Sequence, residues 1–296
     1  MKSAPFTWHR PESVTRAVEL LSTLDNARII AGGQTLMPML AMRYAYVDHL
    51  IDVNAIPGLD RITLEGDEVC IGALVRQRDI EQSPLIRQHA PLMVEAYQWV
   101  GHIQTRNRGT FVGSVCNLDP ASEQPALAAI FNATIVAVGP RGERRIPFNE
   151  FACGFMTTSI EPDEMVTQIR LRIWKEPHGY AFEEFARRHG DFAIVGSAVM
   201  VSVDAQRSIA RAEAVLCGIG GQPHRLELAD MLHGRAADAN LARLAANRAG
   251  EIDAISDTSA SAAYRKRLAC TVTERALVRA FSRALNASGG HHGSNN

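Results

Sequence analysis

The sequence predicts an α+β fold in three blocks, residues 1–55, 56–175 and 176–288, with a short tail at 289–296. Three observations carry that reading. The first block reads as a strand–helix–strand unit. The second holds short strands of alternating polarity on either side of glycine turns, with helices between them. The third has two long apolar strands, and from Leu226 onward it is helical.

In order, Pro11-Glu12-Ser13-Val14 opens a helix running through Leu20 and Leu21. Ala27–Ile30 then reads as a buried strand, Leu36–Leu40 starts a helix with Pro38 near its first turn, and Leu50–Val53 is a further strand. In the second block, strands at Leu59–Leu64 and Glu68–Ile71 flank the turn Glu65-Gly66-Asp67. Helical material starts at Arg78–Glu81, and helices follow at Pro91–Val100 and Pro125–Phe131. Strands resume at Thr134–Val138, turn at Gly139–Gly142, and end with Met165–Ile173. Lys175–Gly179, with its Pro and Gly, marks a hinge. Val195–Val203 and Ile209–Cys217 are expected to pair antiparallel, ahead of helices at Leu228–Leu232, Asn240–Asn247 and Ser259–Leu285. The tail has nothing to pack and is expected to be disordered.

The chemistry concentrates in two glycine loops far apart in the chain. One is Ala31-Gly32-Gly33-Gln34-Thr35-Leu36, and the other is Gly109-Thr110-Phe111-Val112-Gly113-Ser114, continuing to Asn117-Leu118-Asp119-Pro120. Glycine lets backbone N–H groups turn toward a ligand without a Cβ in the way, and successive N–H groups form a nest for anions. Two such loops could grip the two halves of a pyrophosphate, which points to a dinucleotide. The Rossmann pattern G-x-G-x-x-G, with an acidic residue about 20 positions on, is absent from both. Taken alone, the Gly-Gly pair reads more readily as a bare turn or a helix cap than as a phosphate site.

Motifs in order along nearly the whole chain decide further. They are Ile30–Leu36, Ile71-Gly72-Ala73-Leu74, Val100–Thr110, Asp119-Pro120-Ala121-Ser122-Glu123, Gly154–Thr158, Phe182–Arg188 and Gly190–Gly196. Together they resemble the FAD-binding, or medium, subunit of the molybdenum hydroxylases of carbon monoxide dehydrogenase and xanthine dehydrogenase type. The resemblance implies an FAD-binding region of the vanillyl-alcohol-oxidase-like type in two subdomains, and a C-terminal antiparallel sheet with helices.

It also implies a site. The amides of Ala31, Gly32, Gly33, Gln34 and Thr35 would bind the diphosphate, with Ile30, Leu36 and Met37 packed around them. Thr110, Val112, Gly113, Ser114 and Asn117 would form the second half. Val112 stands where the family usually has glycine, so a β-branched residue would sit where φ > 0 is needed unless the position uses an ordinary dihedral. Asn117 stands where many relatives have His. Val100 would be an apolar contact ahead of the second loop, and Glu123 an acceptor for ribose hydroxyls. Asp191-Phe192-Ala193-Ile194 would line the isoalloxazine, with apolar Ile194 against the ring in place of a Lys or Tyr.

No nucleophile elbow, H-E-x-x-H or P-loop occurs, so no catalytic residue is expected on this chain. The resemblance explains that lack. Substrate would be oxidised at a molybdenum–pterin cofactor on a large subunit. Electrons would pass through two [2Fe–2S] clusters on a small subunit to FAD here, and then to a quinone, cytochrome or dye-type acceptor. The implied assembly is a heterotrimer, often paired into a dimer of heterotrimers. The style of the sequence points to N-heteroaromatic substrates. The other readings are a self-sufficient flavin oxidase, and a cofactor-free interaction subunit of the same fold.

Composition agrees without deciding. A chain of 296 residues with 46% hydrophobic and 21% charged residues is ordinary for a globular protein. Its net charge of −1 gives no reason to expect nucleic acid or an anionic membrane. The basic stretches Arg141–Arg145 and Arg265–Arg267 read as solvated surface. No stretch of about 18 apolar residues or leader pattern is present, and a cytoplasmic location is expected. Five scattered cysteines, Cys70, Cys116, Cys153, Cys217 and Cys270, fit reduced thiols better than disulfides, zinc or iron–sulfur ligation. No metal is expected, the paired His291 and His292 included.

Overall fold

The computed structural model describes residues 2–289. Its first unit is a three-stranded parallel sheet in the order β1 (Thr7–His9), β3 (His49–Asp52), β2 (Ala27–Ile30). Parallel neighbours need crossovers, supplied here by α1 (Val14–Thr23) and α2 (Leu36–Ala41). Ser13 caps α1, its Oγ accepting from Arg16 N at 3.1 Å. The apolar face of α1, with Ala17, Val18 and Leu20, packs into the main core. β1 was not expected from its mixed side chains. An edge strand docked on Leu50 takes its order from its partner rather than from an apolar pattern of its own. Ile30 pairs with Asp52, so the first glycine loop leaves the sheet beside the end of β3.

The second unit is a five-stranded antiparallel sheet in the order β4 (Ile62–Glu65), β5 (Glu68–Gly72), β10 (Met165–Arg172), β6 (Thr134–Gly139), β7 (Gly142–Pro147). Between β5 and β6 run α3 (Gln77–Gln82), α4 (Pro84–His89), α5 (Pro91–Ala96), α6 (Ile103–Arg106), α7 (Phe111–Asn117) and α8 (Glu123–Ile130). The one-turn helix α9 (Phe148–Phe151) and the small ribbon β8 (Ala152–Gly154), β9 (Thr157–Thr158) follow β7. The Arg141–Arg145 stretch falls mostly in β7, whose arginines stay out of the core while Ile146 is buried. The core of this unit is continuous with the inner face of α1 and with Ile51 and Val53, so the first two blocks share one interior.

The third unit is a four-stranded antiparallel sheet, β11 (His178–Phe185), β12 (Val195–Val203), β13 (Ile209–Cys217), β14 (His224–Leu226), backed by α10 (Ala229–Leu232), α11 (Ala239–Ala246) and α12 (Ala262–Gly289). β12 and β13 pair antiparallel over the expected residues. β11 takes up the end of the expected hinge, from His178 on. It lies so close to α12 that a Cβ on Gly179 would overlap Ala280 O and Ala284 N. The small residues Ala276, Ala280 and Ala284, one per turn, admit that approach. Glu95 of α5 ties the third unit to the second. It accepts from Arg279 (2.9 Å) and Arg283 (2.6 Å) of α12 and from the Phe182 amide (2.8 Å). The expected tail lies outside the described residues except for Gly289, which closes α12.

Candidate functional site

The first glycine loop turns sharply between β2 and α2. Gly33 has φ +72°, a conformation that L side chains rarely adopt. Among the described residues, the amides of Gly32, Gly33, Gln34 and Thr35 donate to no protein acceptor. A run of accessible, unengaged N–H groups is the donor set an anion needs. Gln34, Thr35 and Met37 are exposed, Ala31 and Leu36 half-buried, and Ile30 is in the small core formed with Leu40, Val47 and Leu50.

The second loop is a helix start. Thr110 caps α7, its Oγ1 accepting from Gly113 N at 3.0 Å, and residues 111–117 are helical. Val112 therefore has ordinary helical dihedrals and is absent from the positive-φ residues. The strain expected from replacing glycine there does not arise. Its side chain is 3% exposed and packs into the main core, so only its backbone is available toward a ligand. Gly113 is exposed, and Asn117 ends the helix before Leu118, which turns it at φ +49°. Ser114 faces α8, hydrogen-bonded with Ser122 Oγ (3.1 Å) and Gln124 Oε1 (3.1 Å).

The two loops touch. A Cβ on Gly32 would overlap Arg108 O and stand 2.7 Å from Gly109 Cα. Behind this contact runs a chain of polar side chains that the sequence analysis did not find. Asp52 Oδ1 accepts from the Asn54 amide (3.0 Å) and from Asn54 Nδ2 (2.6 Å). Asn54 Nδ2 also donates to Ala31 O (2.9 Å), and Asn54 Oδ1 accepts from Arg76 Nη2 (2.5 Å). Arg76 Nη1 donates to Arg108 O (2.8 Å), and the Gln77 amide donates to Gly109 O (2.9 Å). Asp52-x-Asn54 after a strand is an Asx-turn pattern that could have been read locally; the Arg76 partner, distant in sequence, could not. A third element, Arg106, donates to Val100 O (2.8 Å) and Gly101 O (3.0 Å) and pairs with Glu81 (3.1 Å). That fixes the entry to the second loop.

The 191–194 segment lies beside the start of α8. The Ala193 amide donates to Ala121 O (3.2 Å), and the Gly218 amide donates to Pro120 O (2.7 Å). Buried Arg265 fastens it from behind, donating to Ile194 O (2.5 Å), Gly218 O (2.7 Å) and Asp257 (2.5 Å). Asp191 is exposed and Phe192 is 63% exposed. Ile194 turns the other way, 6% exposed, within the C-terminal core beside residues such as Leu216 and Ile219. The expectation that its side chain lies against a flavin is corrected accordingly. Phe192 lies outside and Ile194 inside because the chain turns into the core just ahead of β12, with Ala193 and Ile194 both buried, so Phe192 is the apolar side chain on offer.

Glu123, expected to accept from ribose hydroxyls, lies at the start of α8 with its side chain in the interior. It is 4% exposed and faces Glu184 of β11 across the junction of the second and third units. Burial raises both carboxyls above the usual carboxylate range; the charge of Glu123 raises Glu184 further, and that of Asp119 adds to the rise at Glu123. Neither Glu184 oxygen has a hydrogen-bond partner in the fold, and a buried, unpartnered carboxyl is held in its neutral form. Val100 is buried at 5% exposure and contributes to the core. Cys70 and Cys217 are buried, Cys116 and Cys270 half-buried and Cys153 exposed, all as free thiols; burial pushes Cys116 up to about 12. Among the described residues no helix is long and apolar enough to cross a membrane.

An FAD fits the donor set at the two loops: unengaged amides at 32–35, a glycine conformation a side chain would disturb, and a second loop seated against the first. Residues 4–172 match the FAD-binding domain of molybdopterin dehydrogenases, and residues 180–280 match the C-terminal domain of the CO dehydrogenase flavoprotein. The chain is 38% identical to caffeine dehydrogenase subunit beta of Pseudomonas sp. (strain CBB1), over 97% of this chain and 98% of that one. It is 34% identical to the carbon monoxide dehydrogenase medium chain of Hydrogenophaga pseudoflava, over 94% and 98%. Its fold is similar to that in quinoline 2-oxidoreductase from Pseudomonas putida 86, with a TM-score of 0.92 at 30% identity over 96% of this chain and all of that one. The matched domains account for both the two-loop cradle and the sheet behind it, and the chain belongs to the FAD-binding medium subunits of the molybdenum hydroxylase family.

Proposed function

We propose that this chain relays electrons within a molybdenum-dependent hydroxylase that acts on an N-heteroaromatic compound. In this reading a large partner subunit holds the molybdenum–pterin cofactor and oxidises the substrate. A small partner subunit holds two [2Fe–2S] clusters, and the medium chain takes electrons from them and releases them to a quinone, cytochrome or dye-type acceptor. The three chains form a heterotrimer that pairs with a second, in the cytoplasm. Bound FAD supplies the redox carrier between cluster and acceptor.

The protein's share is to bind, orient and shield. The amides of Gly32–Thr35 donate to the diphosphate, and the backbone at Thr110–Gly113 closes its other side. Phe192 and Asp191 border the ring from the third unit, while Ile194 anchors that border in the core. The observation that carries the reading is the run of unengaged amides at 32–35, pressed against the second loop. The substrate class is supported by relatives whose names give caffeine and quinoline.

The chain purified after incubation with FAD should retain flavin absorbance bands. Its complex with the large and small partners should be bleached by caffeine or quinoline. A chain that takes up no FAD would remove the flavin assignment. A complex bleached by carbon monoxide or an aldehyde, and by no N-heteroaromatic compound, would remove the substrate class.

A further inference from the structure

We infer that Arg76 and Asn54 are positioning residues that hold the two cofactor loops at one spacing, so that a dinucleotide meets a preassembled cradle. The inference rests on the FAD reading above and adds what sets the geometry of that site. The loops come from different units, one following a parallel strand and the other opening a helix. The direct contact between them, Gly32 on Arg108 and Gly109, has no side chain in it. Packing at that point resists compression and does nothing against separation. The side-chain chain behind it opposes separation: Asn54 holds Ala31 O on one side, Arg76 holds Arg108 O on the other, and the two meet at 2.5 Å.

Every atom in this chain has a defined role. Asp52 accepts twice from Asn54, which orients the amide with nitrogen toward Ala31 O and oxygen toward Arg76. Arg76 uses both terminal nitrogens, one per acceptor. A planar fork can span two carbonyl-type oxygens in this way, whereas an ammonium is a single flexible point. Arg76 also pairs through its backbone with Thr110, the cap of α7, so a shift of its side chain is felt at both ends of the second loop.

The test uses the full chain, stripped of flavin and titrated with FAD while flavin fluorescence is followed. Arg76→Ala and Asn54→Ala are each expected to weaken FAD binding by about tenfold or more, with the apoprotein still folded cooperatively and its melting temperature lowered by several degrees. Because both act in one chain, the double variant is expected to bind about as weakly as the weaker single variant. Arg76→Lys is expected to behave like Arg76→Ala. Wild-type affinity in Arg76→Lys would overturn the bridging role in favour of a simple positive charge near the phosphates. Independent, fully additive losses in the double variant would likewise overturn it. So would wild-type affinity in folded Asn54→Ala, the smaller of the two changes. A wild-type chain that fails to bind FAD would instead remove the cofactor reading itself, before any variant is compared.

Discussion

Replacing Gly32 by Ala isolates the contact between the loops. The added methyl carbon would overlap Arg108 O and sit 2.7 Å from Gly109 Cα, both backbone atoms that cannot rotate away. An ordinary carbon–carbon contact is roughly 3.5–4.0 Å, so the two loops must part by about 1 Å. Overpacking of this kind costs roughly 1–3 kcal/mol. If the loops part, that energy is drawn from cofactor binding, a loss of about 5- to 150-fold in affinity. Fluorescence titration of the apoprotein with FAD measures the loss, and thermal unfolding of the apoprotein measures how much is absorbed by the fold. Gly58→Ala is the control: Gly58 has φ +82° with nothing near its Cβ direction, so it should lower stability by about 1 kcal/mol and leave FAD binding alone. A folded Gly32→Ala chain with wild-type FAD affinity and stability would refute the interlocked loops.

Gly33→Val places a β-branched side chain at φ +72°, with Ile30 Cδ1 and Met37 Cγ each 3.3 Å from the new Cβ; the purified variant should fold but lose FAD on gel filtration, and full flavin content would contradict the assignment. Glu184 keeps its proton in the fold more tightly than in the unfolded chain, so stability from the carboxyl pair is complete at acid pH and declines as pH rises from the ordinary carboxylate range through neutrality. Glu184→Gln should flatten that decline, and parallel urea midpoints for variant and wild type at pH 5.5 and 8.5 would count against a Glu184 carboxyl that keeps its proton in the fold. Glu95→Ala removes the acceptor of two arginines and the Phe182 amide and should cost roughly 2–4 kcal/mol in denaturant unfolding; a loss under about 0.5 kcal/mol would make these surface pairs of the usual weak kind.

What could be read from the sequence depended on whether the signal was local. β12 and β13 run over the expected residues because each is buried along much of its length, an apolar run bounded by polar turns. β11 was hidden because Gly179 and Ala181, which point toward α12 or the core, are small in order to admit that helix, and Pro177 with Gly179 looks like punctuation. The second loop was read as a glycine nest because a helix of seven residues, with Gly113 in its first turn, is too short to display a period. Phe192 and Ile194 fall within one apolar stretch. An alternating pattern would put both on one face; it is the point where the chain enters the core, fixed by Ala193 N donating to Ala121 O and Ile194 N to Phe185 O, that leaves Phe192 outside. The polar chain from Asp52 to Arg108 joins residues with no sequence relation, and no pattern in one chain reports it.

The second loop with its entry, and the 191–194 segment, share one structural device, whereas the Ala31 carbonyl of the first loop is held by Asn54. Arg76 donates to the carbonyl of Arg108, Arg106 to those of Val100 and Gly101, and Arg265 to those of Ile194 and Gly218. Turns that expose their amides to a ligand direct their carbonyls backward, where no strand or helix neighbour can receive them. An unpaired carbonyl there would cost about 1–3 kcal/mol. A guanidinium reaches two such oxygens at once and stays charged throughout, which neither lysine nor a neutral amide does. Because the hold is on backbone, the side chains in front are free to vary. Phe192 can stand outside the core without loosening the segment that carries it, because Arg265 holds the backbone at Ile194 behind it. Differences of acceptor or potential among such subunits can therefore be set by a few forward-facing side chains, on a cradle whose shape is fixed from behind.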